Sequence, residues 1–176
     1  MMPVGPLMKE HRLIERMIRI TGGKLDKIKQ TKDADTLFID AAVDFIRTYA
    51  DKCHHGKEED ILFRELAKKE LSDEHKKIMN ELIEEHKLAR NNTRQLITAK
   101  ENYAKGDKNA LKDIMSNMEI LVKFYPKHIE KEDKRFFIPC MSYFTELQRD
   151  AMLSEMLEFD RNMIHKKYAD IVEGYE

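Results

Sequence analysis

A chain of 176 residues can bury a core without disulfides and still form a single domain; with 41 % hydrophobic and 37 % charged residues, 6 glycines, 4 prolines and no tryptophan, helices are favoured over a sheet. Lysine plus arginine number 32 against 33 for aspartate plus glutamate, so no net field draws nucleic acid or an anionic membrane surface. No apolar run approaches the roughly 20 residues of a membrane span, and the opening MMPVGPLMKE lacks the basic and apolar regions of a secretory signal, so the expectation is an all-α, cytoplasmic protein without nucleic acid or membrane partners.

Apolar periodicity divides the chain into five helical segments. The first, about residues 7–30, places Leu7, His11, Ile14, Ile18, Leu25 and Ile28 on one stripe, and Gly22 and Gly23 mark a point of bending. The second, about 36–69, carries Phe38, Ala42, Phe45, Tyr49, Leu62, Phe63 and Leu66, with capping residues in the preceding TKDAD. The third, about 73–105, has Ser72 as N-cap and Met79, Leu82, His86, Ala89, Thr93 and Leu96 inward; Gly106 ends it. Asp107 caps the fourth, which runs to about 138 with Leu111, Ile114, Met118, Leu121, Tyr125, His128, Glu132 and Phe136 inward. Pro126 costs this helix a hydrogen bond and Pro139 stops it. The fifth, about 145–172, is amphipathic through Leu147, Met152, Met156, Phe159, Met163 and Ile171 and reads as a packing helix. Short connections make consecutive helices antiparallel, so the expected architecture is an up-down-up-down four-helix bundle over 7–139 plus the C-terminal helix, one domain across 1–176. Cys53 and Cys140 form no CxxC pair and read as small apolar thiols, and the eleven methionines as core filler.

Three stripes contain a histidine where an apolar residue belongs, at His11, His86 and His128, and Glu132 brings a carboxylate to an inward position. Burying an unpaired carboxylate costs several kcal/mol or forces its protonation. The stretch HHGKEEDILF from His54 is echoed by HIEKEDKRFF from His128, where the first His, the Lys, the Glu, an acidic residue and the final Phe recur. The second and fourth helices therefore carry the same local device and, by the approximate two-fold symmetry of a bundle, can converge on one centre.

Residues four apart share a helix face about 6 Å apart along the axis, so each histidine can bind one metal while its glutamate reaches a second. Two such pairs supply two bridging carboxylates, and His11 and His86 add one terminal imidazole each, giving each metal two histidines. Imidazole and carboxylate without thiolate suit iron or manganese, and two cations neutralise the buried glutamates. Ferritin-like bundles instead use Glu-x-x-His, which is absent from the chain.

With MKEHRLIE around His11, HHGKEEDILF, EEHKLAR around His86 and HIEKEDKRFFIP in order on four helices, residues 7–139 resemble the hemerythrin-like family of HHE cation-binding domains. The resemblance implies a four-helix bundle holding two non-heme iron ions under carboxylate and oxo or hydroxo bridges, and many members bind dioxygen reversibly. Carried over by position, it makes His11, His54, His86 and His128 terminal ligands and Glu58 and Glu132 the bridges. One departure stands out: oxygen carriers place a second histidine four residues after the one corresponding to His86, and here that residue is Arg90.

His55 is the substitute within reach, since successive residues on a helix point roughly 100° apart; a mammalian iron-sensing relative is similar in having a second ligand directly after the corresponding histidine. Periodicity anchored on Phe45, Tyr49, Phe63 and Leu66 turns His55 and Glu59 inward, whereas the echo at His128 selects His54 and Glu58, and the echo is the stronger guide. Asp133 competes with Glu132 as a bridge, because oxygen carriers use an Asp one residue further on, and the parallel with Glu58 favours Glu132. His75, eleven residues from His86, is too distant for the same centre, and His165 has a surface or packing role.

No nucleophile arrangement or phosphate loop is present, so the metal centre is the chemistry the chain offers. The resemblance implies a protein that takes dioxygen or another small diatomic or peroxide ligand, as carrier, scavenger or sensor, rather than an enzyme. The alternatives are a di-iron redox enzyme acting on peroxide or nitric oxide, and a protein of iron-centre repair or iron sensing.

Overall fold

The computed structural model describes residues 2–173, with only the backbone described from residue 164 onward. The expected positions His165 and Ile171 therefore lie outside the described side chains. The described residues are helical, without strands, and form five helical stretches joined by short connections.

The first helix, Val4–Thr31, begins three residues earlier than the sequence suggests and buries Val4, Leu7, His11, Ile14, Ile18, Thr21, Leu25 and Ile28. Gly22 and Gly23 lie inside it without interrupting it. A Cβ on Gly22 would lie 3.6 Å from Val122, so the small residue lets the first helix run close against the fourth. Lys32 closes the helix in the left-handed region, its N–H donating to the Ile28 carbonyl.

The second helical stretch, residues 36–66, starts with the Asp35 side chain accepting from the Phe38 N–H. It is α-helical over Thr36–Phe45, widens into π-helix over Ile46–His55 and again over Glu58–Phe63, and ends in an α turn, Arg64–Leu66. Ile39, Ala42, Val43, Ile46 and Ala50 are buried, while Phe45 and Tyr49 are only partly covered. Of the four residues that anchor the periodicity, Phe63 and Leu66 are buried and Phe45 and Tyr49 lie on the flank; His55 is buried as that periodicity has it, and Glu59 is only partly so.

The third helix, Asp73–Ala104, has its N-terminus capped by Ser72, which accepts from His75 N–H, and is followed by Gly106 at φ 101°. Ile78, rather than Met79, is its buried residue at that turn. The fourth stretch, residues 110–140, is α-helical over Ala110–Lys131, passing through Pro126, π-helical over Glu132–Phe136 and α-helical over Phe137–Cys140. Asp107 lies outside its end, where its side chain accepts from Asn109 N–H. Pro139 does not stop the helix: the chain continues to Cys140 and through a 3-10 turn, Met141–Tyr143.

The fifth helix, Glu146–Glu173, packs against the π-helical parts of the second stretch, burying Met152 and Met156 and half-burying Phe159. Leu147, expected on its inner face, is 81 % exposed. The fourth stretch packs along both the first and third helices, and the second lies against the first and third. Two apolar clusters result, one built around Ile18, Ile114 and Leu121, the other around Leu7, Leu62, Leu82, Phe136 and Phe137. Between them lies a layer of buried polar side chains.

Candidate metal centre

All seven residues singled out in the sequence lie in this layer. His11, His54, His55, Glu58, His86, His128 and Glu132 are each at most 2 % exposed. They fall into two groups whose ligand atoms lie within 4.8 Å of one another, His11, His54, Glu58 and Glu132 in one, and His55, His86 and His128 in the other. The histidines are thus divided two and three, not two and two as the first count suggested.

Each glutamate faces both groups. Glu58 sets Oε1 3.2 Å from His54 Nε2 and Oε2 3.4 Å from His86 Nε2. Glu132 sets Oε2 3.2 Å from His11 Nε2 and Oε1 3.2 Å from His128 Nε2. A carboxylate with one oxygen on each side has the disposition of a bridge.

The π-helical turns explain how consecutive residues serve one centre. A wider turn brings successive side chains closer together in angle than the roughly 100° of an α-helix. His54 and His55 can then both face inward, toward different groups. The same widening follows Glu132 in the fourth stretch, where Phe136 and Phe137 are both fully buried.

Every imidazole is oriented from behind by a carboxylate. Nδ1 of His11 lies 2.7 Å from Asp133, Nδ1 of His54 2.8 Å from Glu10, Nδ1 of His86 2.6 Å from Glu59, Nδ1 of His128 2.8 Å from Glu85, and Nδ1 of His55 3.4 Å from Asp51. An Nδ1–H donated outward leaves the Nε2 lone pair directed inward. Four of these contacts close a ring: the first helix holds the histidine of the second, the second that of the third, the third that of the fourth, and the fourth that of the first.

Behind the carboxylates stand cations. Lys57, fully buried, contacts Glu10 and lies 2.6 Å from Asp160 of the fifth helix. Lys131 lies 2.6 Å from Glu85, Arg90 2.7 Å from both Asp51 and Glu59, and Arg12 pairs with Asp133. The lysine common to the two sequence repeats thus plays the same part twice, backing the carboxylate that holds His54 or His128.

In the sequence Glu10, Asp51, Glu59 and Glu85 carry no expectation of such a role, and Asp133 is only a rival bridge. The signal for most of them was adjacency, since Glu10 precedes His11, Glu85 precedes His86, and Glu59 and Asp133 follow the two inward glutamates. These four serve the histidine of a neighbouring helix, which a pattern along one helix does not disclose, whereas Asp51 serves His55 one turn away on its own. Arg90, the residue that replaces a histidine, holds the carboxylates behind His55 and His86.

Electrostatically the centre is short of positive charge. Seven carboxylates touch the five imidazoles, and four side-chain cations answer them. Burial disfavours charged imidazole, yet Asp133 and Glu132 hold His11 up at about 10. Against the same opposition, Glu58 and Glu10 hold His54 up at about 9, and Glu132 and Glu59 hold His86 there too. His55 moves the other way, pushed well below its ordinary value by burial and then by His86 and His128. Glu132 is held well below the ordinary carboxylate range, since His128 and His11 outweigh its burial.

A bound cation fits these observations. Both oxygens of Glu58 and Glu132, with Nε2 of His86 and of His128, are buried without a hydrogen-bond partner. His11 and His54 direct Nε2 at one another across 2.8 Å, a separation that two lone pairs tolerate only with a proton or cation between or beside them. Phe137 stacks on His11, Phe63 on His86 and Phe124 on His128, covering three imidazole faces with apolar surface. His75 is elsewhere, its Nδ1 2.8 Å from Tyr143 Oη.

The family model described as Hemerythrin HHE cation binding domain matches residues 2–166, nearly the whole chain. No curated protein and no solved structure matches.

Proposed function

The chain belongs to the hemerythrin HHE cation binding family, and on that premise we propose that it is a single-domain, non-heme di-iron protein binding dioxygen as carrier, scavenger or sensor, on an up-down-up-down bundle with its fifth helix packed outside. His11 and His54 would hold one iron, His55, His86 and His128 the other, and Glu58 and Glu132 would bridge them. The observation that carries this reading is the split of each glutamate between the two histidine groups. Thiolate is absent from both, which favours iron or manganese over structural zinc.

Two ferrous ions, when bound, supply the electrons that dioxygen accepts. The chain's residues do the rest. The outer carboxylates fix each imidazole tautomer and ring direction, so no reorganisation is needed when a ligand arrives. The His11 and His54 group offers one imidazole fewer than its partner, so an iron held there would have one protein ligand fewer and could take a small ligand instead. Leu62, Phe136 and Phe137, all fully buried, and Phe63 exclude water and would slow loss of the reduced state.

Anaerobic loading with ferrous iron should give about two ions per chain. Admitting oxygen and following the visible charge-transfer bands should then give an adduct that reverses under vacuum. One ion or none, with the fold intact, overturns the dinuclear reading. Irreversible oxidation or turnover of peroxide or nitric oxide would transfer the assignment to the redox-enzyme alternative.

A further inference from the structure

Beside the centre, between the second, third and fourth helical stretches, lies a cavity of about 310 Å³ that reaches His55. That is room for several water molecules, far more than a diatomic gas requires. The lining is unlike the apolar packing around Phe136 and Phe137. Arg47, Arg90 and Arg94 all border it, with Asp51 the one acidic residue.

Arg90 is already committed to Asp51 and Glu59, and those contacts cancel its charge locally. Arg47 and Arg94 make no ion pair or side-chain hydrogen bond among the described residues, and both are exposed at the mouth. The inner wall includes Tyr125, 1 % exposed, whose hydroxyl is buried without a partner. Burial, then the charges of Asp51 and Glu132, push the phenol pKa up, so this hydroxyl keeps its proton and remains a donor. A buried donor left unsatisfied carries a desolvation penalty that a bound acceptor relieves.

We propose that this cavity binds a small planar oxyanion, a one- to three-carbon carboxylate or nitrite, with Arg47 and Arg94 pairing with its oxygens and Tyr125 donating to it. Guanidinium forks match two-oxygen anions, which selects this class over a spherical halide. The recognition groups lie outside the metal clusters, so the site does not depend on the iron assignment. Its position places the anion against His55, on the three-histidine side of the centre.

The test is calorimetric titration of the purified full chain with formate and, separately, sodium nitrite, against a constant chloride background. Saturable binding of one anion per chain is expected, weakened about tenfold or more in R47Q/R94Q and about fivefold in Y125F. Stronger binding of formate than nitrite identifies the ligand as a carboxylate, and the reverse identifies it as a nitrogen oxyanion. Affinity unchanged in both variants, with a shifted visible spectrum, would mean that the anion sits on the metal and overturns the proposal. No saturable binding of either anion, or an equal loss in R161Q on the fifth helix, overturns it as well.

Discussion

Glu58 and Glu59 are neighbours in sequence with opposite duties. Glu58 is fully buried with both oxygens turned to the histidine groups, whereas Glu59 is partly exposed and holds His86 from behind. Glu58→Ala or Glu132→Ala should therefore lower the metal stoichiometry from two to one or none, measured by elemental analysis after ferrous loading. Glu59→Gln and Arg90→Gln should keep the stoichiometry and weaken affinity about 10- to 100-fold, the usual effect of losing an outer-shell partner. A loss of stoichiometry in Glu59→Gln with Glu58→Ala unaffected would reverse the two roles. The raised imidazoles add a pH dependence. His11, His54 and His86 have folded pKa values of about 9 to 10, above the ordinary 6.5. Their stabilising contribution to the metal-free fold is fully present below pH 6.5 and is lost as pH rises through 9 to 10. Metal-free protein should thus melt at lower temperature at pH 10 than at neutral pH. Loading near neutral pH should release protons from these three groups, and calorimetry in buffers of different ionisation enthalpy counts them.

Helix geometry decides which residues can share the centre. A strict α-helix makes His54 and His55 compete for the inward direction, and the echo at His128 favoured His54 alone. The π-helical path over Ile46–His55 admits both. It also brings Gly56 under the fifth helix, where an added Cβ would lie 2.8 Å from Phe159 Cζ. Gly56→Ala gains about 1 kcal/mol of helix propensity and meets an overpacking cost of about 1–3 kcal/mol. The expected net effect in denaturant unfolding is destabilisation by about 1 kcal/mol, converted to stabilisation when Phe159→Ala is also present. An equally destabilising Gly56→Ala in both backgrounds would show that Phe159 is not what the glycine accommodates. Lys57 ties the same two elements, joining Asp160 of the fifth helix to Glu10 and through it to His54.

At the scale of the molecule the centre works as a cross-link. Four helical stretches converge on a layer that, without cations, is held together by protons on imidazoles. Metal binding that favours the folded state should add about 2.7 kcal/mol at a free metal concentration 100 times Kd, read as a rise in melting temperature that a chelator reverses. An unchanged melting temperature on loading would separate metal from fold and sink that expectation.

The sequence by itself determined the helical class, the helices on which the polar residues sit, and the seven residues that gather in the buried layer. These are local properties: apolar periodicity, cap residues, and a His/Glu pair four residues apart repeated on two helices. It did not determine the two-and-three division of the histidines, because a hydrophobic stripe has a resolution of about one residue and π-helical turns rotate the face within the helix. Nor did it disclose the ring of outer carboxylates with its lysine and arginine backing, since every link but that of Asp51 joins side chains on different helices. Those pairings exist only once the helices pack, when burial forces each Nδ1–H and each carboxylate to find a partner across the interface.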